Sequence, residues 1–100
     1  MGTGVSRSTA EAVRLWRIAA DQGVAEAQDN VGIVHLEGSG GVAYDVTIAV
    51  RYLRLAAEQG IQRAQYLLAT LYECGKGTKR DIAEAVRWYR AAAEQGNSPA

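Results

Sequence analysis

Six arginines recur in pairs along the chain, and they are its clearest candidates for binding another molecule. The pairs, with members three residues apart, are Arg14 and Arg17, Arg51 and Arg54, and Arg87 and Arg90. A guanidinium group can hold a carboxylate through two parallel hydrogen bonds. If the segments that carry these pairs stack side by side, the arginines form two rows on one exposed face. This pattern predicts a groove for an acidic peptide or protein segment.

Acidic residues stand one helical turn away from most of these arginines, and they give a second interpretation. The predicted pairs are Arg17–Asp21, Arg54–Glu58, Arg90–Glu94, Glu11–Arg14 and Glu84–Arg87. Such pairs each stabilise a helix by about 0.2–0.5 kcal/mol and neutralise one another. A solvated, self-paired face is therefore the preferred interpretation of the arginines, and partner binding is the alternative.

Apolar residues fall in the same sector of the helical wheel as the arginines. Ile18 and Leu55 occupy equivalent positions, and Ala91 takes that position further along the chain. One prediction is an apolar strip along the groove floor, where a bound helix or strand would anchor. Packing against a neighbouring helix explains the same residues equally well.

Residues that could support catalysis or metal binding are isolated in the sequence. His35 is the only histidine and Cys74 the only cysteine. We expect His35 to pack near a helix end and Cys74 to be an exposed thiol. The segment Gly38–Gly41 follows a helix and lacks the Gly-Lys-Ser/Thr ending of a phosphate-binding loop. We therefore predict that the chain is not an enzyme and has no catalytic, metal or cofactor site.

Composition argues against several classes of protein. The chain has 100 residues, zero net charge and 48% hydrophobic residues. These values argue against disorder and against a nucleic-acid binder that relies on bulk positive charge. No apolar run approaches the ~20 residues of a membrane span, and Met1–Ser8 contains no apolar signal core. One cysteine cannot form an internal disulfide, and a free thiol favours a reducing compartment such as the cytoplasm.

An internal repeat organises the chain. Three segments share a pattern of Arg, paired Ala and a final Gln-Gly, and they span Ala12–Gly23, Ala49–Gly60 and Ala85–Gly96, so the period is about 36 residues. Each unit is predicted to contain a helix A, a turn, a helix B and a loop. In this single domain we place repeat 1 at about 8–44, repeat 2 at about 45–80 and a half repeat at about 81–96.

Start and stop signals flank each predicted helix. Ser8, Asp45 and Asp81 stand where a side chain can accept hydrogen bonds from the first-turn N–H groups of helix A, and Glu84 has capping-box spacing to Asp81. Helix A is predicted to stop at its final glycine, which tolerates the left-handed conformation of a helix end. Helix B then spans about 25–37 and about 62–74.

Helix A carries an apolar arc that is too wide for one helix partner. In the first unit the arc spans roughly 160° and consists of Ala12, Val13, Leu15, Trp16, Ala19 and Ala20. Gly32 and Ala69 on helix B allow close contact between helices. Since two helices cannot bury such an arc alone, the units must stack, which predicts an all-α solenoid of antiparallel helix pairs. Gln28 and Gln65, which are equivalent in helix B, are expected to hydrogen-bond the A–B turn.

At these residues the chain resembles the Sel-one-like repeat family (SLR), a relative of the tetratricopeptide repeats. The family pattern A-x-x-W-Y-x-x-A-A-x-x-G is matched best by Ala85, Trp88, Tyr89, Ala92, Ala93 and Gly96. The helix B and loop pattern is matched by Ala64, Leu68, Ala69, Tyr72, Gly75, Gly77 and Asp81. Leu15-Trp16 and Tyr52-Leu53 replace the aromatic pair, and His35 replaces the tyrosine. The resemblance covers about residues 8 to 100.

The resemblance implies a right-handed α/α superhelix of two full repeats plus a terminal helix A, with the helices A lining a concave face. It also implies a scaffold or adaptor that binds other proteins. From the charge and the apolar pattern we expect no nucleic-acid or membrane partner. A hydrolase stays a minor alternative, since penicillin-binding or β-lactamase-like activity is associated with some relatives. The serines of the chain are Ser6, Ser8, Ser39 and Ser98. None of them has a Lys or His at catalytic spacing.

The last residues repeat the start of a helix B. Asn97–Ala100 aligns with Ile61–Ala64, and a proline suits the first turn of a helix. We therefore expect a fragment or an open C-terminal end, at which Trp88, Tyr89 and Ala92 expose apolar area. Pairing of two copies through this end is the alternative function.

Overall fold

The computed structural model describes residues 7–39 and 41–96, and the regular structure of these residues is entirely α-helical. The helices are α1 (Arg7–Asp21), α2 (Ala25–Glu37), α3 (Val46–Glu58), α4 (Gln62–Cys74) and α5 (Ile82–Gly96). Helices α1, α3 and α5 correspond to helix A, and α2 and α4 correspond to helix B with the predicted bounds. Each helix packs on the next one along the chain, which confirms the solenoid. The predicted start of a third helix B, at residues 97–100, lies outside the described residues.

Aspartate side chains begin α3 and α5 as predicted. The Ile48 N–H donates to Asp45 Oδ1 at 3.0 Å, and the Glu84 N–H donates to Asp81 Oδ1 at 3.1 Å. Each bond satisfies one of the first-turn N–H groups that have no partner inside the helix. These two caps fix where the second and third helices A begin.

Two other predicted start signals are not confirmed by the structure. Helix α1 is already helical one residue before Ser8, and the predicted cap by the Ser8 side chain lies outside the described side chains. At α5 the capping box is incomplete, because the Asp81 N–H donates to the Tyr72 carbonyl at 3.0 Å. The Glu84 carboxylate instead accepts a hydrogen bond from Trp88 Nε1 at 3.2 Å. The tertiary contact between α4 and the start of α5 therefore replaces the local one.

Glycines close the A–B turns. Gly23 and Gly60 both have a φ of +97°, a left-handed conformation that glycine adopts without a Cβ clash. The predicted stop at Gly96 differs, because α5 runs through this residue. The two complete A–B turns thus have the same backbone geometry, as expected of a true structural repeat.

Helices α2 and α3 are in close contact at Gly32. A Cβ built on Gly32 would lie 2.6 Å from Leu53 Cγ and 3.3 Å from the Ala49 carbonyl oxygen. Leu53 and Ala49 are both fully covered. Since α2 belongs to the first predicted unit and α3 to the second, this contact joins two repeats.

Glutamines on helix B bind the A–B turns, as the sequence predicted. Gln28 Nε2 donates to the Ala20 carbonyl at 3.2 Å, and Gln65 Nε2 donates to the Ala57 carbonyl at 3.1 Å. Both glutamines are buried. Each of these bonds fastens the last turn of a helix A to the first turn of its helix B.

A second glutamine, from the next repeat, completes each of these contacts. Gln59 Nε2 donates to Gln28 Oε1 at 2.7 Å, and Gln95 Nε2 donates to Gln65 Oε1 at 2.8 Å. We call these four residues the glutamine ladder. Because each rung takes one glutamine from each of two consecutive repeats, the ladder links the repeats through hydrogen bonds to the buried Gln28 and Gln65.

Burial differs between the middle of the stack and its ends. Leu15 is 56% exposed, contrary to the predicted packed arc, because within the described residues α1 packs chiefly on α2. The prediction for the C-terminal end is also wrong in part, since Trp88 and Ala92 are each only 6% exposed. Trp88 joins the core that α3 and α4 build, whereas Tyr89 is half-buried.

No helix in the described part of the chain is long and apolar enough to cross a membrane.

Candidate protein-binding surfaces

The residues predicted to bind a partner lie on the three helices A and form what we call the A-helix face. All of them are exposed, namely Arg14, Arg17, Ile18, Arg51, Arg54, Leu55, Arg87 and Arg90. Ile18 is 47% and Leu55 41% exposed. Ala91, at the equivalent position of α5, is half-buried against the core. Two of the three apolar positions therefore remain open to solvent.

Arg17 and Arg54 both contact the residue near the end of the following helix B. Arg17 Nη2 donates to His35 Nε2 at 3.1 Å, and His35 Nδ1 donates to the Ala43 carbonyl at 3.2 Å. Since arginine only donates and a carbonyl only accepts, these bonds require a neutral imidazole with its proton on Nδ1. Arg54 lies over the Tyr72 ring, 5.4 Å from its centroid, within the range of a cation–π contact. Both arginines thus support the fold.

The ion pairs predicted between residues three positions apart form, whereas those predicted between residues four positions apart do not form among the described residues. Arg14 pairs with Glu11 at 2.8 Å, and Arg87 pairs with Glu84 at 3.4 Å. The three pairs predicted four residues apart are wrong, because none of them is an ion pair among the residues that the structure describes. Asp21, for example, accepts a hydrogen bond from the Tyr52 hydroxyl.

Arg51 and Arg90 differ from the other four arginines. Within residues 7–39 and 41–96 neither one has a hydrogen bond or an ion pair. Each is equivalent to an arginine that does have a partner, Arg51 to Arg87 and Arg90 to Arg54. These two guanidinium groups are the part of the A-helix face whose hydrogen-bonding capacity is unused.

Tyr52 brings arginines of two different helices together. Its hydroxyl donates to Asp21 Oδ1 at 2.9 Å, which joins α3 to α1. Burial raises the pKa of Tyr52, the bond to Asp21 raises it further, and the positive charges of Arg17 and Arg51 lower it. Both arginines therefore lie near the same hydroxyl, so the A-helix face is continuous between the first two repeats.

A second surface lies between α4 and α5 at the C-terminal end. This groove, which we call the α4–α5 groove, encloses about 600 Å³ and is lined by Gln62, Arg63, Tyr66, Tyr89, Ala92 and Ala93. The Tyr66 and Tyr89 rings meet edge to face with centroids 5.6 Å apart. Tyr66 is 56% exposed. The volume falls in the range of ligand-binding clefts.

Two side chains of α4 shape this groove through bonds to other helices. Gln62 Nε2 donates to the Ala92 carbonyl at 2.7 Å. Arg63 donates through Nε and Nη2 to Asp29 Oδ2 of α2, at 2.9 and 2.6 Å. The sequence analysis did not predict that residues of α4 line this groove. The feature that could have indicated it is Tyr66, an aromatic residue at the position equivalent to Asp29 of the first helix B.

Groups that could hold a metal ion are absent from the described residues, since no cluster of three His, Cys, Asp or Glu side chains occurs there. Cys74 is an exposed free thiol, as predicted.

Comparison with known proteins identifies the repeat. The model of the Sel1 repeat family matches residues 1–24, 25–61 and 62–97. The chain belongs to the Sel1 repeat family. This membership confirms the resemblance drawn from the aromatic, alanine and glycine positions. Sel1 repeats are generally protein–protein interaction modules, and the family is one of non-catalytic scaffolds.

Solved structures of other Sel1 repeat proteins have the same fold. A Sel1 repeat protein from Oxalobacter formigenes is 38% identical with a TM-score of 0.83, over 88% of this chain and 36% of that one. The protein c5321, a protective antigen present in uropathogenic Escherichia coli strains and displaying an SLR fold, is 43% identical with a TM-score of 0.82, over 88% of this chain and 19% of its own. This Sel1 repeat chain thus spans well under half of either relative. No functionally curated protein matches it.

Proposed function

We propose that this chain is a scaffold or adaptor module that holds an acidic, amphipathic partner segment on the A-helix face. One observation carries the proposal. Ile18 and Leu55 remain 47% and 41% exposed, and Arg51, one helical turn before Leu55, has no ion pair among the described residues. Apolar anchors supply binding energy when they are desolvated, and nearby charges select and orient the partner.

The charge of this face supports an acidic partner, although the net charge of the chain is zero. The positive charges of Arg17 on α1 and Arg51 on α3 both lower the pKa of Tyr52. Arg17 and Arg54 are also held in place by His35 and Tyr72, so less side-chain entropy is lost when a carboxylate binds. The attraction is between exposed charges, so added salt weakens it over a screening length of about 10 Å at 0.1 M.

The test uses peptides selected on the purified chain from a random display library. We expect the selected peptides to combine acidic and large apolar residues. Arg51→Glu should then weaken the binding of a selected peptide by about tenfold, because one attraction is lost and a repulsion is added. Lys79→Glu is the matched control, since it makes the same charge change on the exposed loop before α5. An unchanged affinity in Arg51→Glu would show that the partner binds elsewhere.

Self-association through the C-terminal end is a second candidate. Val86 and Tyr66 are 46% and 56% exposed at this end, which favours a contact there. Trp88 and Ala92 give it less support than the sequence suggested, because both are buried. Light scattering across a range of concentrations tests this candidate, and a strict monomer at the highest concentration contradicts it.

A further inference from the structure

His35 lies at a junction of the first repeat, where α1 and the loop before α3 both meet α2. The residue is buried, with only 4% of its surface exposed. Arg17 of α1 donates to its Nε2, and its Nδ1 donates to the Ala43 carbonyl of the loop. The His35 carbonyl also accepts a hydrogen bond from the Asp45 N–H at 2.9 Å. Both ring nitrogens are thus occupied, and only the neutral ring fits this arrangement.

The bond from Arg17 to His35 joins α1 to the far end of α2. Other side chains bind α1 in its last turn, where the Ala20 carbonyl and the Asp21 carboxylate accept hydrogen bonds. Arg17 lies one turn earlier. Before Arg17, Val13 alone is buried among the described side chains of α1. The bond from Arg17 therefore fastens the earlier turns of α1 to α2.

The equivalent position of the second repeat lacks a group that can gain a proton. Tyr72 replaces His35 there. Arg54, the equivalent of Arg17, lies over the ring of this tyrosine. The Tyr72 carbonyl accepts a hydrogen bond from the Asp81 N–H at 3.0 Å, just as the histidine carbonyl does in the first repeat. The two repeats thus share the backbone contact, and only the first has a ring that titrates near neutral pH.

The charged groups around this junction offer a protonated ring no counter-ion. The charged and titratable side chains there are Arg17 and Asp21 of α1, Glu37 of α2, and Asp45, Arg51 and Tyr52 of α3 and its cap. Each of the three carboxylates already accepts a hydrogen bond from another group. Among the described residues His35 has no ion pair. The charge in contact with its ring is the Arg17 guanidinium, which repels a second positive charge.

We propose that the bond between Arg17 and His35 is an acid-sensitive latch that holds α1 against the far end of α2. When the ring takes a proton from solvent, Nε2 becomes a donor and can no longer accept the bond from Arg17. Nδ1 carries a proton in both forms, so its bond to the Ala43 carbonyl is retained. Arg17 is the group that leaves, and the turns of α1 before it separate from α2 more often. Imidazole changes charge between about pH 5 and 8, so the latch opens in mild acid.

The latch goes beyond the function proposed above and needs no partner. Arg17 and Ile18 of the A-helix face are both on α1, so opening of the latch displaces these two residues. Mild acid therefore disturbs the part of this face that the first repeat supplies. The second repeat keeps its part, because the Tyr72 ring has no basic nitrogen to protonate.

Native-state hydrogen exchange of the intact chain tests the latch. The protection of α1 amides is compared with that of α3 amides in the same sample, at about pH 7.5 and about pH 5.5, after correction for the intrinsic exchange rate. We expect the protection of α1 relative to α3 to fall about tenfold at the lower pH, because a hydrogen bond from a charged donor is lost. His35→Tyr introduces the residue type of the second repeat, and α1 should show no such fall in this variant. Circular dichroism shows that the variant is folded.

Arg17→Gln is the matched variant on the other side of the bond. A side-chain amide can donate to the neutral ring and accept from the protonated one, so this change removes the repulsion and leaves the histidine in place. We expect α1 to lose its acid dependence here as well, which separates the latch from an effect of the charged ring alone. Nitrogen NMR follows the ring directly, and its signals are unambiguous because His35 is the only histidine.

Three results would overturn the proposal. The first is a ring that carries its proton on Nε2 at about pH 7.5, or that is still neutral at about pH 5.5. The second is protection of α1 that does not fall on acidification. The third is a fall that persists in either variant, which would assign the acid effect to another group.

Discussion

Gly32 shows how one missing side chain sets the distance between two repeats. Leu53 occupies the space that a Cβ on Gly32 would need, and this leucine is fully buried. Helices α2 and α3 approach this closely only because residue 32 has no side chain, so even one added methyl group affects stability.

We expect Gly32→Ala to lower the free energy of unfolding. Overpacking a core costs about 1–3 kcal/mol, and the clash involves Leu53 Cγ as well as the terminal Cδ2. That cost opposes the gain of about 1 kcal/mol that Ala brings to a helix. Urea unfolding measures the difference. Leu53→Ala in the same chain should recover part of the loss, and strictly additive effects of the two substitutions would contradict a direct clash.

At the residue scale, the sequence predicted positions better than contacts. The equivalence of His35 with Tyr72 correctly indicated packing near the end of helix B. The sequence could not show that Arg17 bonds the His35 ring while Arg54 lies over Tyr72, because these contacts depend on the distance between two helices. Two of the ion pairs expected at a spacing of four residues failed for the same reason, since Arg17 and Arg54 contact His35 and Tyr72 instead. Nothing in the structure explains why Arg90 and Glu94 do not pair.

At the scale of the elements, buried polar groups control how one helix pair meets the next. Gln59 reaches from the end of α3 to the buried Gln28 of the previous unit. The residue equivalent to Gln59 in the first unit is Gln22, which is exposed and has no side-chain hydrogen bond among the described residues. The effects of replacing Gln59 and Gln22 on stability can therefore be compared directly.

Gln59→Ala should destabilise the chain by about 1–3 kcal/mol, because it leaves Gln28 Oε1 buried without a donor. Gln22→Ala makes the same chemical change at an equivalent position, and we expect it to alter stability by less than about 0.5 kcal/mol. Thermal and urea unfolding of the two variants provide the measurement. Equal effects would mean that the glutamine ladder adds nothing beyond helix propensity.

The contact between Tyr52 and Asp21 gives the α1–α3 junction a dependence on pH. The pKa of Tyr52 in the folded chain is raised above 10.0 by burial and by its bond to Asp21. The neutral hydroxyl is therefore favoured by folding, and its stabilising effect is complete below pH 10 and is lost as the pH rises through the higher folded pKa. Tyr52→Phe should flatten this alkaline loss of stability, whereas Tyr44→Phe, at a 60% exposed position, should not. The same alkaline slope in Tyr52→Phe would assign the effect to other groups.

The elements themselves were largely predictable. The bounds of α2 and α4, the aspartate caps of α3 and α5 and the glutamine bonds to the A–B turns all followed from the repeat. The predicted stop at Gly96 did not hold, since α5 runs through this residue. The hydrogen bonds between glutamines of consecutive repeats could not be predicted from the sequence, because Gln28 and Gln59 are far apart in sequence and only the fold brings them together.

At the scale of the whole molecule, the stack is most tightly packed in its middle. Helix α3 buries Ala49, Val50, Leu53, Ala56 and Ala57, whereas α1 buries only Val13 and Ala20 among its described side chains. In a solenoid each unit gains stability from its neighbours, so the units at the ends open first.

Native-state hydrogen exchange should show this gradient. We expect the amides of α3 and α4 to exchange most slowly, and those of α1 to exchange fastest among the helices, because α1 has fewer buried side chains. Uniform protection across all five helices would indicate instead that the stack unfolds as a single cooperative unit.

The glutamine ladder also bears on how the protein is made. Its donors always run from a later unit to an earlier one, from Gln59 to Gln28 and from Gln95 to Gln65. A chain leaving the ribosome presents Gln28 first, and that residue gains its second hydrogen bond only after about 30 further residues, up to Gln59, have emerged. Each nascent helix pair is therefore completed by the translation of its successor. Synthesis and stacking proceed in the same direction, which reduces the opportunity for units to join out of order.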